Sequence, residues 1–341
     1  MTMKHPRWAG ILLGLGLAAT VGGQAHAWGN SGHRMIAVLA AEAFPPALPA
    51  FLRTPAIAAQ LGEMSREPDR SRGAGKTHDT MRDPGHFVDI DDDGRILAGP
   101  RFDALPPTIA EYETALRAAG TDSAKAGYLS YVLIDGWQQL TKDFALWRVA
   151  DHGVRTEKNA ARRAWLEADR TARQRLIVRD LGVWGHYVGD TSYPLHVSSH
   201  YNGWGDGPNP QGYTRQRIHV PLEGPFVSRN VRQSAVRAAM TAYQDCRCTI
   251  EARLTAYIAD SWRLVEPFYA LEKAGGFKDG DSRGAAFQAG RLAAAASQLR
   301  DLTIEAWKAS EAMSVGYPAV TLAEIKAGKA TAYDILYSST D

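Results

Sequence analysis

The sequence predicts an all-α protein: a short leader followed by one mostly helical domain. Three observations lead there. Apolar residues recur at helical spacing through several long stretches. Runs that alternate in the manner of strands are nearly absent. Neither an internal repeat nor a linker divides the 341 residues, a length that suits one large domain or two ordinary ones. A hydrophobic content of 45% and a charged content of 22% are ordinary for a globular chain.

Residues 1–27 differ from the rest. Lys4 and Arg7 precede the apolar run "WAGILLGLGLAATVGG", and "AHA" supplies small residues at the cleavage offsets. This predicts a secretory signal peptide cut between Ala27 and Trp28, with residues 28–341 as the domain. The run is short for a membrane anchor, the other reading, and no later segment is long and apolar enough to span. The product is expected to be secreted or periplasmic.

Residues 31–52 place Met35, Ile36, Leu39, Ala40 and Phe44 at helical spacing. Residues 73–100 are rich in Gly and Asp and read as an irregular loop around "HFVDIDDDG". Helices follow at 105–119, at 124–149 and at 160–188; the second carries Tyr128, Tyr131, Val132, Ile134 and Trp137 as core candidates. Residues 200–225 are broken by Gly, Pro and Asn, the mark of a long loop. Helical spacing returns at 231–243, 250–271 and 283–310, for about seven or eight helices with ligand-rich loops at one end.

Charge gives no support to one broad class of partner. Removing Lys4 and Arg7 brings 39 basic side chains to 37, equal to the 37 acidic ones. A neutral chain is no evidence for a broad basic face that holds duplex nucleic acid, so any attraction for phosphate would have to be local. Cys246 and Cys248 lie in "DCRC". Export permits a bridge between them, but one intervening residue makes it no scaffold, and two close thiols can also bind a metal.

Eight histidines remain after Trp28. His186 and Asp190 lie four apart near the end of a long helix and share a face. Alone, such a pair usually sits at a surface or a cap. His196 follows a turn set by Pro194, and Asp190 has two oxygens with which to bridge two ions. A freed Trp28 would offer its amino nitrogen and carbonyl oxygen as a chelate, with His33 one turn into the first helix. "HFVD" supplies His86, and "HVPLE" supplies His219 and Glu223, again four apart. Imidazole and carboxylate without thiolate suit zinc with an open position for water.

As a set, "WGNSGH", "DRSR", "HFVD", "HYVGDTSYPLH" and "HVPLE" 23 residues later resemble the S1/P1-type zinc-dependent nucleases, which share a superfamily with zinc-dependent phospholipase C. The resemblance runs from Trp28 to about Ser310. It implies a helical domain of the phospholipase C/nuclease type with a trinuclear zinc cleft. One Zn2+ would take Asp69, His86, His186 and one oxygen of Asp190. A second would take Trp28, His33 and the other Asp190 oxygen. The third would take His196, His219 and Glu223. Arg72 falls where the family holds a phosphate, and Phe87 and Asp89 where it stacks and hydrogen-bonds a base.

The implied activity is hydrolysis of single-stranded RNA and DNA to 5′-nucleotides, with 3′-nucleotidase activity beside it. The first two ions would share a hydroxide as nucleophile, so Asp190 and Arg72 are the catalytic candidates. A phospholipid is the alternative substrate and phospholipase C the alternative enzyme. A zinc-stabilised binding protein without turnover is the third reading, against which the spare phosphate clamp Arg72 argues. No stable protein partner is expected.

The sequence departs from the family at four points. Glu223 stands where the nucleases more often have Asp and the phospholipases have Glu. Pro221, between His219 and Glu223, fits a first helical turn but not a helix middle. Asp79 and Asp83 compete for the role of Asp69, which "EPDRSR" favours. The family's usual long-range cysteine pairs are missing. Bland readings cover the rest: His78 and His200 as loop histidines, His152 at a surface or helix end, and Trp137, Trp147, Trp184 and Trp262 as core. Tyr201 and Trp204, in the long loop, are the candidates for an exposed substrate wall.

Overall fold

The computed structural model describes residues 28–337; the predicted leader and its cleavage junction therefore lie outside the described residues, apart from Trp28 itself. The chain is predominantly helical, as its periodicity predicts. The only paired strands among the described residues are Ser314–Val315 and Val320–Thr321, two residues each and antiparallel.

The helices run α1 (Asn30–Glu42), α2 (Pro55–Met64), α3 (Glu67–Arg70), α4 (Lys76–Arg82), α5 (Ile109–Ala118), α6 (Ser123–Ala126), α7 (Leu129–Thr156) and α8 (Ala160–Thr191). They continue with α9 (His219–Glu223), α10 (Pro225–Asn230), α11 (Gln233–Ala239), α12 (Ile250–Trp262), α13 (Val265–Lys273), α14 (Ser282–Ala309), α15 (Leu322–Lys326) and α16 (Ala332–Tyr337). The helices outnumber the sequence expectation because many are single turns.

Prolines explain where predicted helices stop short. The first ends at Glu42 because Pro45 and Pro46 disfavour helical geometry just ahead of them. The stretch 250–271 divides into α12 and α13 because Pro267 has no N–H and its ring clashes with a carbonyl one turn back. Of 231–243, only Gln233–Ala239 is helical. Residues 73–100 are less irregular than their composition predicts, since they contain α4 and a 3-10 turn at Asp83–His86.

Caps set other boundaries. Thr108 and Glu111 form a capping box on α5, and the Asn159 side chain accepts from the Ala161 and Arg162 N–H groups to start α8. With 32 residues, α8 is about 48 Å long. Its first half is Arg-rich and largely exposed. Its second half, from Ile177 to Thr191, is mostly buried, so one helix carries polar residues from the surface into the interior.

α7 and α8 pack along each other. Trp184 makes this possible at Gly136, where a Cβ would stand 2.1 Å from Trp184 Cδ1. The Trp184 indole N–H donates to the Leu133 carbonyl at 3.1 Å, which fixes the ring. α1 packs on α2, α8 and α14. The core joins Trp28, Ile36, Phe144, Val188 and Leu292, all fully buried. A buried leucine of this kind contributes roughly 2 kcal/mol. Trp137, Trp147 and Trp262 pack against this core, as the sequence predicts.

A second, smaller core lies between α7, α8 and the C-terminal segments. It contains Val149, Leu166, Val315, Leu322, Ile325 and Ala332. Cys246 and Cys248 are bonded to each other. None of the described helices is long and apolar enough to cross a membrane.

Candidate metal centre

Six separate pieces of chain deliver the site. The buried end of α8 supplies His186 and Asp190 on one face. α1 supplies His33, α3 supplies Asp69, and the turn Asp83–His86 ends on His86. A 3-10 turn at Pro194–His196 swings His196 back towards α8, and α9 supplies His219 and Glu223. Pro221 lies in the first turn of α9, the one place in the helix that tolerates it.

These residues form three buried groups. His33, His186 and Asp190 make one; Asp69, His86 and His186 make another; His196, His219 and Glu223 make the third. In each group the candidate ligand atoms lie within 4.8 Å of one another. All three groups can hold a metal ion.

Asp190 is fully buried and stands between two of the groups. His33 Nε2 is 3.5 Å from its Oδ1. His86 Nδ1 is 3.1 Å and His186 Nε2 is 3.3 Å from its Oδ2. Glycine at position 189 brings α1 this close, because a Cβ there would sit 3.2 Å from His33 Nδ1. Asp69 Oδ1 completes the approach at 3.8 Å from His186 Nε2.

The hydrogen-bond network fixes the tautomers. His186 Nδ1–H donates to the Ser65 carbonyl at 2.8 Å, His196 Nδ1–H to the His86 carbonyl at 2.7 Å, and His219 Nδ1–H to the Tyr201 carbonyl at 2.8 Å. Metal-bound histidines are oriented in this way. A neutral ring so held presents a bare Nε2. His196 Nε2 and His219 Nε2 then face each other at 3.1 Å, with Glu223 Oε2 2.8 Å from the latter. A cation among these lone pairs, whether a metal ion or a proton, would satisfy them. Buried oxygens of Asp69, Asp190 and Glu223 likewise have no hydrogen-bond donor.

Burial pushes the Asp190 carboxyl well up and that of Asp69 up to about 7, against the pull of Arg72. Burial also pushes His86 and His186 well down and lowers His196. Burial would raise Glu223 too, but His219 and His196 outweigh it and hold the carboxyl below its ordinary value. Low-dielectric surroundings thus keep the imidazoles neutral, the form that binds metal, while a dication would favour the ionised carboxylates.

The other candidates fall around this centre. Arg72 Nε is 3.6 Å from Asp69 Oδ1 and 3.6 Å from Asp83 Oδ1, so the guanidinium lies at the edge of the Asp69 group. Asp79 is occupied elsewhere: it accepts from the Gly73 N–H at 3.1 Å and pairs with His78. Of the three carboxylates, Asp69 alone joins one of the buried groups among the described residues. Phe87 is half-buried, and Asp89 is buried with Oδ1 lacking a donor.

Trp28 is fully buried, its indole N–H shared between the Gly189 carbonyl at 2.8 Å and Ser192 Oγ at 3.0 Å. The first described residue is thereby fixed to both sides of Asp190 in the sequence.

Two expectations need correction. Trp204 is not part of an exposed wall. It is 9% exposed, stacks on His200 at 3.8 Å and meets Tyr269 edge-on, forming the core of its own loop; only Tyr201 is exposed. His78 is on α4 rather than in a loop. His200 is buried, bonded through Nε2 to Asp92 at 3.0 Å and accepting at Nδ1 from the Gly205 N–H.

Sequence reasoning missed the orienting carbonyls of Ser65 and Tyr201, since a main-chain acceptor leaves no mark in residue identity. Gly189 did leave a signal: glycine beside a ligand on a helix face marks a close approach. No family model matches this chain, and neither does any curated protein or solved structure.

Proposed function

We propose that this chain is an exported zinc-dependent phosphodiesterase of the S1/P1-type nuclease kind, cleaving single-stranded RNA and DNA to 5′-nucleotides, with 3′-nucleotidase activity beside it. The observation that carries the reading is the convergence of bare Nε2 lone pairs from His196 and His219 on the Glu223 carboxylate, 3.1 and 2.8 Å apart. Two further groups have His186 in common, and Asp190 of the first also approaches His86 of the second. Nitrogen and oxygen donors without thiolate favour zinc. The helical architecture is compatible with the phospholipase C/nuclease fold, and export is the expectation set by the first 27 residues.

Bound dications would supply a water of lowered pKa and Lewis-acid stabilisation of a phosphoryl oxygen. The chain's own residues do the rest. Arg72, beside Asp69, offers a planar fork to two non-bridging phosphate oxygens and orients the phosphodiester. Asp190, which no N–H or O–H satisfies at Oδ1, holds the His33 and His86 sides of the centre in register. Phe87 offers a face on which any base can stack, so weak base preference is expected. Asp89 would accept from a base edge.

Glu223 favours a second reading, phospholipase C acting on a phospholipid. The mature, zinc-loaded protein should be assayed side by side on single-stranded RNA and on phosphatidylcholine, with a chelator control. Chelator-sensitive release of 5′-nucleotides alone supports the nuclease. Diacylglycerol release alone transfers the assignment to the lipase, and turnover of neither substrate rejects both.

A further inference from the structure

One sizeable cavity among the described residues is not the metal centre. A groove of about 1220 Å³ runs between α7 and α12, closed at one side by the segment 101–107, and none of the clustered ligands lines it. This exceeds the roughly 300–1,000 Å³ of ordinary small-molecule pockets. The α12 wall, from Glu251 to Trp262, is about 16 Å long, so the groove suits an extended molecule rather than a compact one.

Its floor is apolar. Phe102, Tyr131, Ile258 and Trp262 line it, with the Phe102 and Trp262 rings 5.4 Å apart. Ser130 lines it as well; this serine is 4% exposed and its hydroxyl has no hydrogen-bond partner.

The charge balance selects the ligand. Arg101 pairs with Asp103 at 2.8 Å, and Arg263 with Asp260 at 3.1 Å, so both cations are neutralised. Asp135 and Glu251 also line the groove, and neither forms a salt bridge among the described residues. The uncompensated charge is therefore negative. An anionic head, whether carboxylate or phosphate, is disfavoured, which separates this groove from any path for nucleic acid. Tyr131 and Trp262 offer aromatic faces that attract a cation. A quaternary ammonium suits such walls better than a primary one, because it has no N–H groups to desolvate.

We propose that this groove is a second binding site, for a single-chain amphiphile with a quaternary ammonium head: the chain on the α7–α12 floor, the head near Asp135 and Glu251. The proposal does not rest on the assignment of the metal centre.

The test is calorimetric titration of the metal-loaded full chain with decyltrimethylammonium below its micelle concentration, with decanol and decanoate as comparison arms. Decyltrimethylammonium should bind about tenfold more tightly than decanol, and decanoate more weakly than either. The double variant Asp135→Asn/Glu251→Gln should lose that preference while keeping its affinity for decanol within about twofold. Ala256→Phe, which fills the groove, should abolish binding of all three probes; should it fail to fold, Thr255→Phe is the second filler. Equal affinities for the three probes, no binding of the cation, or binding that survives the filled groove would each overturn the proposal.

Discussion

His196 and His219 face each other through their Nε2 atoms at 3.1 Å, while both rings donate from Nδ1 to main-chain carbonyls. Neither has a proton to offer the other in its neutral form. Glu223 adds a third acceptor at 2.8 Å. The arrangement makes sense around a cation, and a first prediction follows from it. Glu223→Gln should lower bound metal by about one ion per chain, measured by elemental analysis after dialysis. His152→Gln, on α7 and outside the three groups, should leave metal content unchanged. Losing a ligand typically weakens such sites 10- to 100-fold or more. An unchanged ion count in Glu223→Gln would remove this residue from the centre.

Asp190→Asn should reduce phosphodiester turnover by at least ~100-fold, because this one fully buried carboxylate lies against histidines of two groups. Asp79→Asn, at a carboxylate already engaged by Gly73 and His78, should stay within about twofold. Equal losses in the two variants would mean that the centre lies elsewhere.

The expected cleavage before Trp28 offers a third test. The Trp28 indole is held by Gly189 and Ser192; with the leader removed as expected, one residue retained ahead of Trp28 would turn an α-amino group into an amide. An amide nitrogen is a poor ligand. A protein retaining one extra N-terminal residue should bind one ion less tightly and lose activity in proportion. Full metal content in that protein would exclude the amino group from the ligand set.

Asp143 gives a pH prediction away from the metal. Burial raises its carboxyl to about 6, in part offset by the Gln139 amide that donates to it at 2.8 Å. The folded state therefore holds a proton that the unfolded chain releases near pH 4. Stability linked to this group is fully present below about pH 4 and is lost as pH rises through 6. Asp143→Asn should match the parent at pH 4 and exceed it by roughly 1–2 kcal/mol at pH 7. Parallel melting curves at the two pH values would show that the proton is not there.

Gly136→Ala should destabilise the helix pair. The new Cβ would meet Trp184 at 2.1 Å, inside a ring pinned to Leu133. Overpacking of this kind costs about 1–3 kcal/mol. Denaturant midpoints should fall accordingly, and Trp184→Leu in the same chain should recover part of the loss.

How much of this was legible in the sequence depended on the kind of signal. Long helices were, because burial and spacing coincide: the predicted 160–188 became Ala160–Thr191. Helix ends were less so where a proline acts through its neighbours, as at Pro45 and Pro267. Four-residue spacing and a proline-set turn singled out His186, Asp190 and His196 locally, but their division with His33, Asp69, His86, His219 and Glu223 into three groups came only from the family resemblance, since those residues meet through tertiary packing. Tryptophan exposure was not. Nothing local separates Trp204, buried by His200 and Tyr269, from a ring facing solvent. The groove beside α12 was invisible for the same reason, since it belongs to two helices more than a hundred residues apart.

The position of Asp190 between histidines of two groups carries one more implication. Were its carboxylate to ligate an ion in each group, the two occupancies would be coupled, because filling one would ionise and orient the carboxylate ahead of the other. Loading should then be cooperative. At substoichiometric metal, native mass spectra should show mostly empty and mostly filled molecules rather than a graded mixture, and scarcity would switch molecules off one at a time instead of weakening them all.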